Sequence, residues 1–183
     1  MTIYIRNMIS PECEAIVKAA FRQMKLRVIA IRPGAVETAA SVSTAKLMRL
    51  QELLERSGFS ILEDKKQVLT EQIKVLIIYL VHHQAETRLK LSGYISETLQ
   101  YDYHYLSSLF SEMEGITIEK FLIQQRIEKI KLLLSVGEMP IAAIAKELNY
   151  SSAAYLTIQF KKSTGFTPGI YRKINLRMPA LAG

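Results

Sequence analysis

A chain of 183 residues, 49% hydrophobic and 22% charged, carries enough apolar material to bury a core as one domain or two small ones. Its longest strongly apolar run, residues 75–81, is far too short to cross a bilayer, and the single cysteine, Cys13, excludes an internal disulfide. A net charge of +7 admits nucleic acid as a partner without requiring it.

Residues 1–7 have neither a basic leader nor a sustained apolar stretch, so no secretory signal is expected and the expected location is the cytoplasm, away from any membrane. Ile3 and Ile5 alternate with polar neighbours, as in a half-buried strand. Pro11 then opens a helical repeat of Ile16, Val17, Ala20, Phe21 and Met24. Residues 27–31 read as a strand, Pro33-Gly34 as a tight turn and residues 35–40 as a weaker strand. Thr44 is expected to cap a helix with the stripe Leu47, Leu50, Leu53 and Leu54, which Gly58 ends. Residues 59–62 complete the segment as a short strand. The order βαββαβ predicts a small sheet covered on one face by two helices.

Glu63-Asp64-Lys65-Lys66 is a charged joint, and the expected domains are 1–65 and 66–183. Beyond it only helix signals occur. Leu69, Ile73, Leu76, Ile77 and Leu80 form the stripe of a helix over 66–83. Further helices are expected at 92–99, 103–113, 117–136, 140–148, 152–164 and 168–175, punctuated by Gly115, Gly137 and Gly165, with Pro140 and Pro168 at first turns. The fold class is therefore α+β.

Two segments of the helical part repeat one pattern. Ile95, Leu99, Tyr101, Leu106 and Phe110 correspond to Ile144, Leu148, Tyr150, Leu156 and Phe160, at an offset of 49 residues through the turn and 50 after it. Each segment is a short helix, a break, and a longer helix opened by a capping residue, Asp102 in one and Ser151 or Ser152 in the other. That is the form of a helix-turn-helix, in which the outer face of the second helix is free to enter a major groove.

Residues 139–152, with Ile141, Ile144 and Ala145, are followed by Phe160-Lys161-Lys162 and by Gly165-Phe-Thr167-Pro168-Gly-Ile-Tyr171-Arg172. Together with Leu106-Ser-Ser-Leu-Phe110, Gly115-Ile-Thr117 and Arg126 before Leu132-Leu133-Leu134, this resembles the AraC/XylS family of transcription regulators over roughly residues 70–175. The resemblance implies seven helices, with 117–136 linking two units that read adjacent major grooves of double-stranded DNA, and the transcription machinery as a further partner. Carried over residue by residue, it puts His104, Ser107 and Ser108 on the base-reading face of the first unit, continued by Ser111. In the second unit the readers are Ala154, Thr157 and Ile158. Neither set holds an arginine or asparagine for a bidentate base contact; hydroxyls, an imidazole and thymine-methyl contacts remain.

Charge divides the two units. Residues 91–119 contain five acids and no Lys or Arg, whereas residues 146–177 contain six bases against Glu147. Phosphate contact and counterion release are therefore expected mainly from Lys161, Lys162, Arg172 and Lys173, with Tyr103 and Ser107 adding hydroxyl contacts in the first unit. The assembly is either a monomer using both units or a homodimer.

The N-terminal βαββαβ order, with Met8, Ser10 and Cys13 before and at the start of its first helix, resembles a heavy-metal-associated domain of ferredoxin-like fold. Such domains place two cysteines there for a soft metal such as Cu(I); Ser10 stands in place of the first, and a hydroxyl is a hard, poorly ionised ligand. Three readings of Cys13 stand open: a leftover on a structural or partner-binding domain, a metal site shared with Cys13 of a second chain, or a redox sensor. No phosphate loop, His/Cys metal constellation or nucleophile–base signature points to an enzyme.

Overall fold

The computed structural model describes residues 1–83, 90–137 and 139–177, which fall into two compact units: 1–76 with 90–117, and 77–83 with 118–177.

In the first unit, β1 (Thr2–Arg6) alternates as its sequence requires, burying Ile3 and Ile5. It is followed by α1 (Pro11–Gln23), β2 (Val28–Arg32), β3 (Ala35–Thr38), α2 (Thr44–Glu55) and β4 (Ser60–Leu62). The strands form one antiparallel sheet in the order β2-β3-β1-β4, with Ile3 opposite Val36 and Ile5 opposite Ile61. Ser10 caps α1 and Pro11 opens it; the helix buries Val17, Ala20 and Phe21. With Leu50 and Leu54 of α2 these residues close over Ile3, Ile5 and Val36 to form the core. The cap of α2 differs from expectation. Ser43 holds the cap position, without a side-chain bond, and Thr44 is already the first helical residue.

The next helix, α3 (Lys65–His83), is opened by Asp64, whose carboxylate accepts from the Gln67 N–H at 3.0 Å. Its first half packs on the opposite face of the sheet, where Tyr4 and Ala35 meet Val68, Gln72 and Val75. α1 and α2 thus lie together on one face of the sheet, and α3 adds a cover on the other that the sequence reading did not include. The compact units accordingly divide α3 after Leu76, past the charged joint at 63–66. The Glu71 carboxylate, 4% exposed, anchors this packing: it accepts from the Asn7 backbone N–H at 2.7 Å and lies 3.0 Å from the Lys74 ammonium. Asn7 adopts a left-handed backbone at φ 66°, which asparagine tolerates better than most residues. The same unit holds α4 (Leu91–Leu99) and α5 (Tyr103–Glu114).

The second unit takes the last described residues of α3 together with α6 (Ile118–Val136), α7 (Ile141–Glu147), α8 (Ala153–Thr164) and α9 (Pro168–Arg177). Val81, Ile127, Ile130, Leu134, Ile144, Leu156 and Phe160 form its core, and the Phe160 and Tyr171 rings meet edge to face at 5.4 Å. Among the described residues no helix is long and apolar enough to cross a membrane.

Candidate nucleic-acid interface

The α4–α5 and α7–α8 pairs are built alike, down to single backbone angles. Gln100 and Asn149, 49 residues apart, are both left-handed at φ 59° and 55°, which turns the chain sharply between the helices. Asp102 caps α5 through bonds from the His104 and Tyr105 N–H groups, and Ser152 caps α8 through the Tyr155 N–H. Gly115 and Gly165 then end the two helices at φ 69° and 81°, a conformation that costs a residue bearing Cβ. Leu106 and Phe110 in α5, and Leu156 and Phe160 in α8, are fully buried at i, i+4 spacing. With Ile95 and Ile144 buried on the preceding helices, each second helix is anchored along one side and open along the other.

On the open side of α5, His104 and Ser108 are exposed and lie one turn apart. Tyr103, Ser107 and Ser111 are half-buried. Tyr105 is 45% exposed and stacks on Tyr101 with ring centroids 5.8 Å apart. On α8, Ala154 is exposed and Ile158 is 66% exposed, an unusual position for a bare aliphatic side chain unless a partner covers it. Thr157 is half-buried and its hydroxyl donates to the Ala153 carbonyl at 2.8 Å, so it reaches outward mainly through its methyl group and its acceptor lone pairs. Tyr155, 51% exposed, joins this face; its position directly after Ala154 was the only signal available for it. Gln159 is turned away, its amide oxygen accepting from the Tyr150 hydroxyl at 2.5 Å.

The cations sort by environment. Lys161 and Lys162 are exposed in the last turn of α8, where the helix dipole favours positive charge, and Lys173 is exposed on α9. Arg172 departs from the expected phosphate set. It is half-buried, and one guanidinium nitrogen donates to the Met139 carbonyl ahead of α7, while its Nε is buried with no hydrogen-bond partner among the described residues. Its geometry ties α9 to the start of the α7–α8 pair. Arg126, in α6, lies 5.4 Å from the Tyr150 ring centre; burial pulls its pKa down from the ordinary value, and burial likewise raises that of Tyr150.

The acidic character of the first pair is altered by residues distant in sequence. Glu112 and Glu114 of α5 each lie 3.3 Å from a lysine of α3, Lys66 and Lys74 respectively, and Asp102 is spent on the helix cap. The deficit of cations within 91–119 is thus partly offset in space by α3.

At the start of α1, the Met8 side chain is fully buried in the core and the Ser10 hydroxyl caps the helix while donating to Glu12 at 2.6 Å. Ser10 is therefore a capping residue where the resemblance has a metal-binding thiol. The half-buried Cys13 thiol lies 3.4 Å from the same hydroxyl, whose single proton it shares with the nearer Glu12 carboxylate, and this contact is the main cause of a pKa below the ordinary thiol value. Among the described residues no three His, Cys, Asp or Glu side chains group for a metal ion.

A family model described as a helix-turn-helix domain matches residues 95–174. The HTH-type transcriptional regulator YtdP of Bacillus subtilis is 35% identical over 97 residues, 53% of this chain and 12% of that protein. The arabinose operon regulatory protein of Escherichia coli K12 is 28% identical over 123 residues, 67% of this chain and 42% of that protein. The chain thus matches less than half of the length of either relative. Among solved structures, the C-terminal domain of AraT, a response regulator from Geobacillus stearothermophilus, superposes with a TM-score of 0.53 at 27% identity, covering 66% of this chain and 94% of that one. The relatives named here are transcription regulators; none of these likenesses supports metal or redox sensing.

Proposed function

We propose that this chain is a member of the AraC/XylS family and a sequence-specific transcription regulator that binds duplex DNA with α5 and α8, each in a major groove. The observation that carries this reading is the paired construction of α4–α5 and α7–α8. The same left-handed turn residue, cap, buried i, i+4 anchor and glycine stop occur in both, and each leaves one helix face uncovered. Base contacts fall to His104, Ser108, Ala154 and Ile158, with Ser107 and Thr157 at the margin of each face. Phosphate contacts fall to Lys161, Lys162 and Lys173, joined by the half-buried Tyr103 hydroxyl. Action is by binding alone, in the bacterial cytoplasm.

Residues 1–65 are proposed as a ferredoxin-like module, supported by the β2-β3-β1-β4 antiparallel order and the two helices on one sheet face, and residues 66–183 as the DNA-binding part. Selection of bound sequences from a random duplex pool, followed by anisotropy titration, tests the function. A consensus with two separated blocks is expected. Equal affinity for the selected and a scrambled duplex at every salt concentration would refute it.

A further inference from the structure

In the first unit a cleft of about 550 Å³ opens between the β1–β4 side of the sheet, the start of α3 and the C-terminal end of α4. That size lies within the range of small-molecule sites. Its wall is largely apolar: Ile3, Leu62 and Leu69 are buried, and Val68 and Leu99 are half-buried around the opening. The polar residues that line it include Lys65, Tyr101, Glu63, Gln72 and Thr98.

Lys65 differs from the two other lysines on this stretch of α3. Lys66 and Lys74 are each matched by a carboxylate of α5, whereas Lys65 has no carboxylate within salt-bridge distance among the described residues. Its ammonium lies 5.7 Å from the Tyr101 ring centre, and the Tyr101 hydroxyl favours its charged form. An exposed cation that has a phenol but no carboxylate beside it among the described residues, at the edge of an apolar hollow, complements a molecule with one anionic end and an apolar body. We propose that this cleft binds a small organic carboxylate with an aryl or short alkyl body, the carboxylate meeting Lys65 and the Tyr101 hydroxyl and the body covering the apolar wall.

The occupant would touch the DNA-reading apparatus directly. Leu99 ends α4, and Tyr101 sits in the turn and stacks on Tyr105, which is exposed on α5. Ligand and DNA should therefore alter one another's affinity by the same factor. This coupling rests on the proposed function; binding in the cleft does not.

Calorimetric titration of the full chain with 4-phenylbutanoate and octanoate, each against its uncharged amide, tests the site without DNA. At least one acid is expected to bind about tenfold or more tightly than its amide. Lys65→Met should erase the difference, and Thr98→Trp, at an exposed residue lining the cleft, should weaken acid and amide together while circular dichroism stays native. Absence of binding by both acids at millimolar concentration, parity between acid and amide, or an unchanged Lys65→Met titration would overturn the assignment. Repeating the titration with the selected duplex separates the two proposals. Acid binding without DNA binding would leave the cleft standing and remove the regulatory reading. Acid and DNA binding with no mutual effect would remove only the coupling.

Discussion

Lys161 and Lys162 end in solvent with no ion-pair partner among the described residues, so each is free to replace condensed counterions on a phosphate. Lys161→Ala with Lys162→Ala should lower DNA affinity by about tenfold or more at 0.1 M salt and flatten the log–log salt slope by about 2, since each phosphate contact contributes roughly 0.9. His104→Ala with Ser108→Ala should instead reduce the preference for selected over scrambled duplex and leave the slope unchanged. Anisotropy titrations across a potassium chloride series distinguish these; a parallel loss of slope in both doubles would contradict the division of labour. Arg172 belongs to neither class, because its guanidinium is committed to the Met139 carbonyl, a contact that a basic residue near a tail cannot announce in sequence. The Cys13 thiol follows its own rule. The Ser10 hydroxyl holds its folded pKa below the ordinary value, so the folded state favours the thiolate. The associated stability is complete above the ordinary thiol pKa and is lost as pH falls through the lowered one. Iodoacetamide alkylation against pH should give a midpoint below that of free cysteine. Ser10→Ala should move the midpoint up and, by removing the cap, cost about 1 kcal/mol in urea unfolding.

At the level of elements, the repeat makes opposite-signed stability changes predictable from one backbone angle. Gln100 holds φ 59° with a Cβ, a conformation that costs about 1–2 kcal/mol for most residues. Gln100→Gly removes that strain but gives up the side-chain bond to the Glu97 carbonyl and some unfolded-state entropy, for a net gain of about 0.5 kcal/mol. Gly165→Ala meets no neighbouring atom, yet forces a Cβ onto φ 81° and should cost about 1 kcal/mol. Urea unfolding of the two variants checks both signs. These elements were legible in sequence because their causes are local. Apolar spacing, Asp102 and Ser152 as caps, Pro11 and Pro168 at first turns, and Gly115 and Gly165 as stops each act within one turn of helix. The observed helices begin and end within two residues of the expected ones. Thr44 was misplaced by one position, because Ser43 and Thr44 carry the same capping chemistry and only the backbone angle decides between them.

What lies between elements was less legible. The stripe along α3 indicated a core-facing side, but not that its first half would close the second face of the sheet through Tyr4, Val68 and Val75. Nor could local pattern show that Lys66 and Lys74 meet Glu112 and Glu114, since these partners are 46 and 40 residues apart. The consequence for function is electrostatic. Glu112 stands one turn beyond Ser108 on the exposed stripe of α5, where an uncompensated carboxylate would repel the phosphate backbone. Lys66 sits 3.3 Å away and reduces that repulsion, although both side chains are more than half exposed and the pair itself adds little stability. Glu112→Gln should therefore raise DNA affinity about two- to fivefold at 0.05 M salt, and Lys66→Gln, which leaves the carboxylate bare, should lower it by a similar factor. Both effects should fade toward 0.5 M salt as the screening length shrinks to a few ångströms. Anisotropy titration of the two variants at both salt concentrations gives the result. Equal affinities for wild type, Glu112→Gln and Lys66→Gln at low salt would place this end of α5 outside the phosphate field, and would leave His104 and Ser108 without a groove to read.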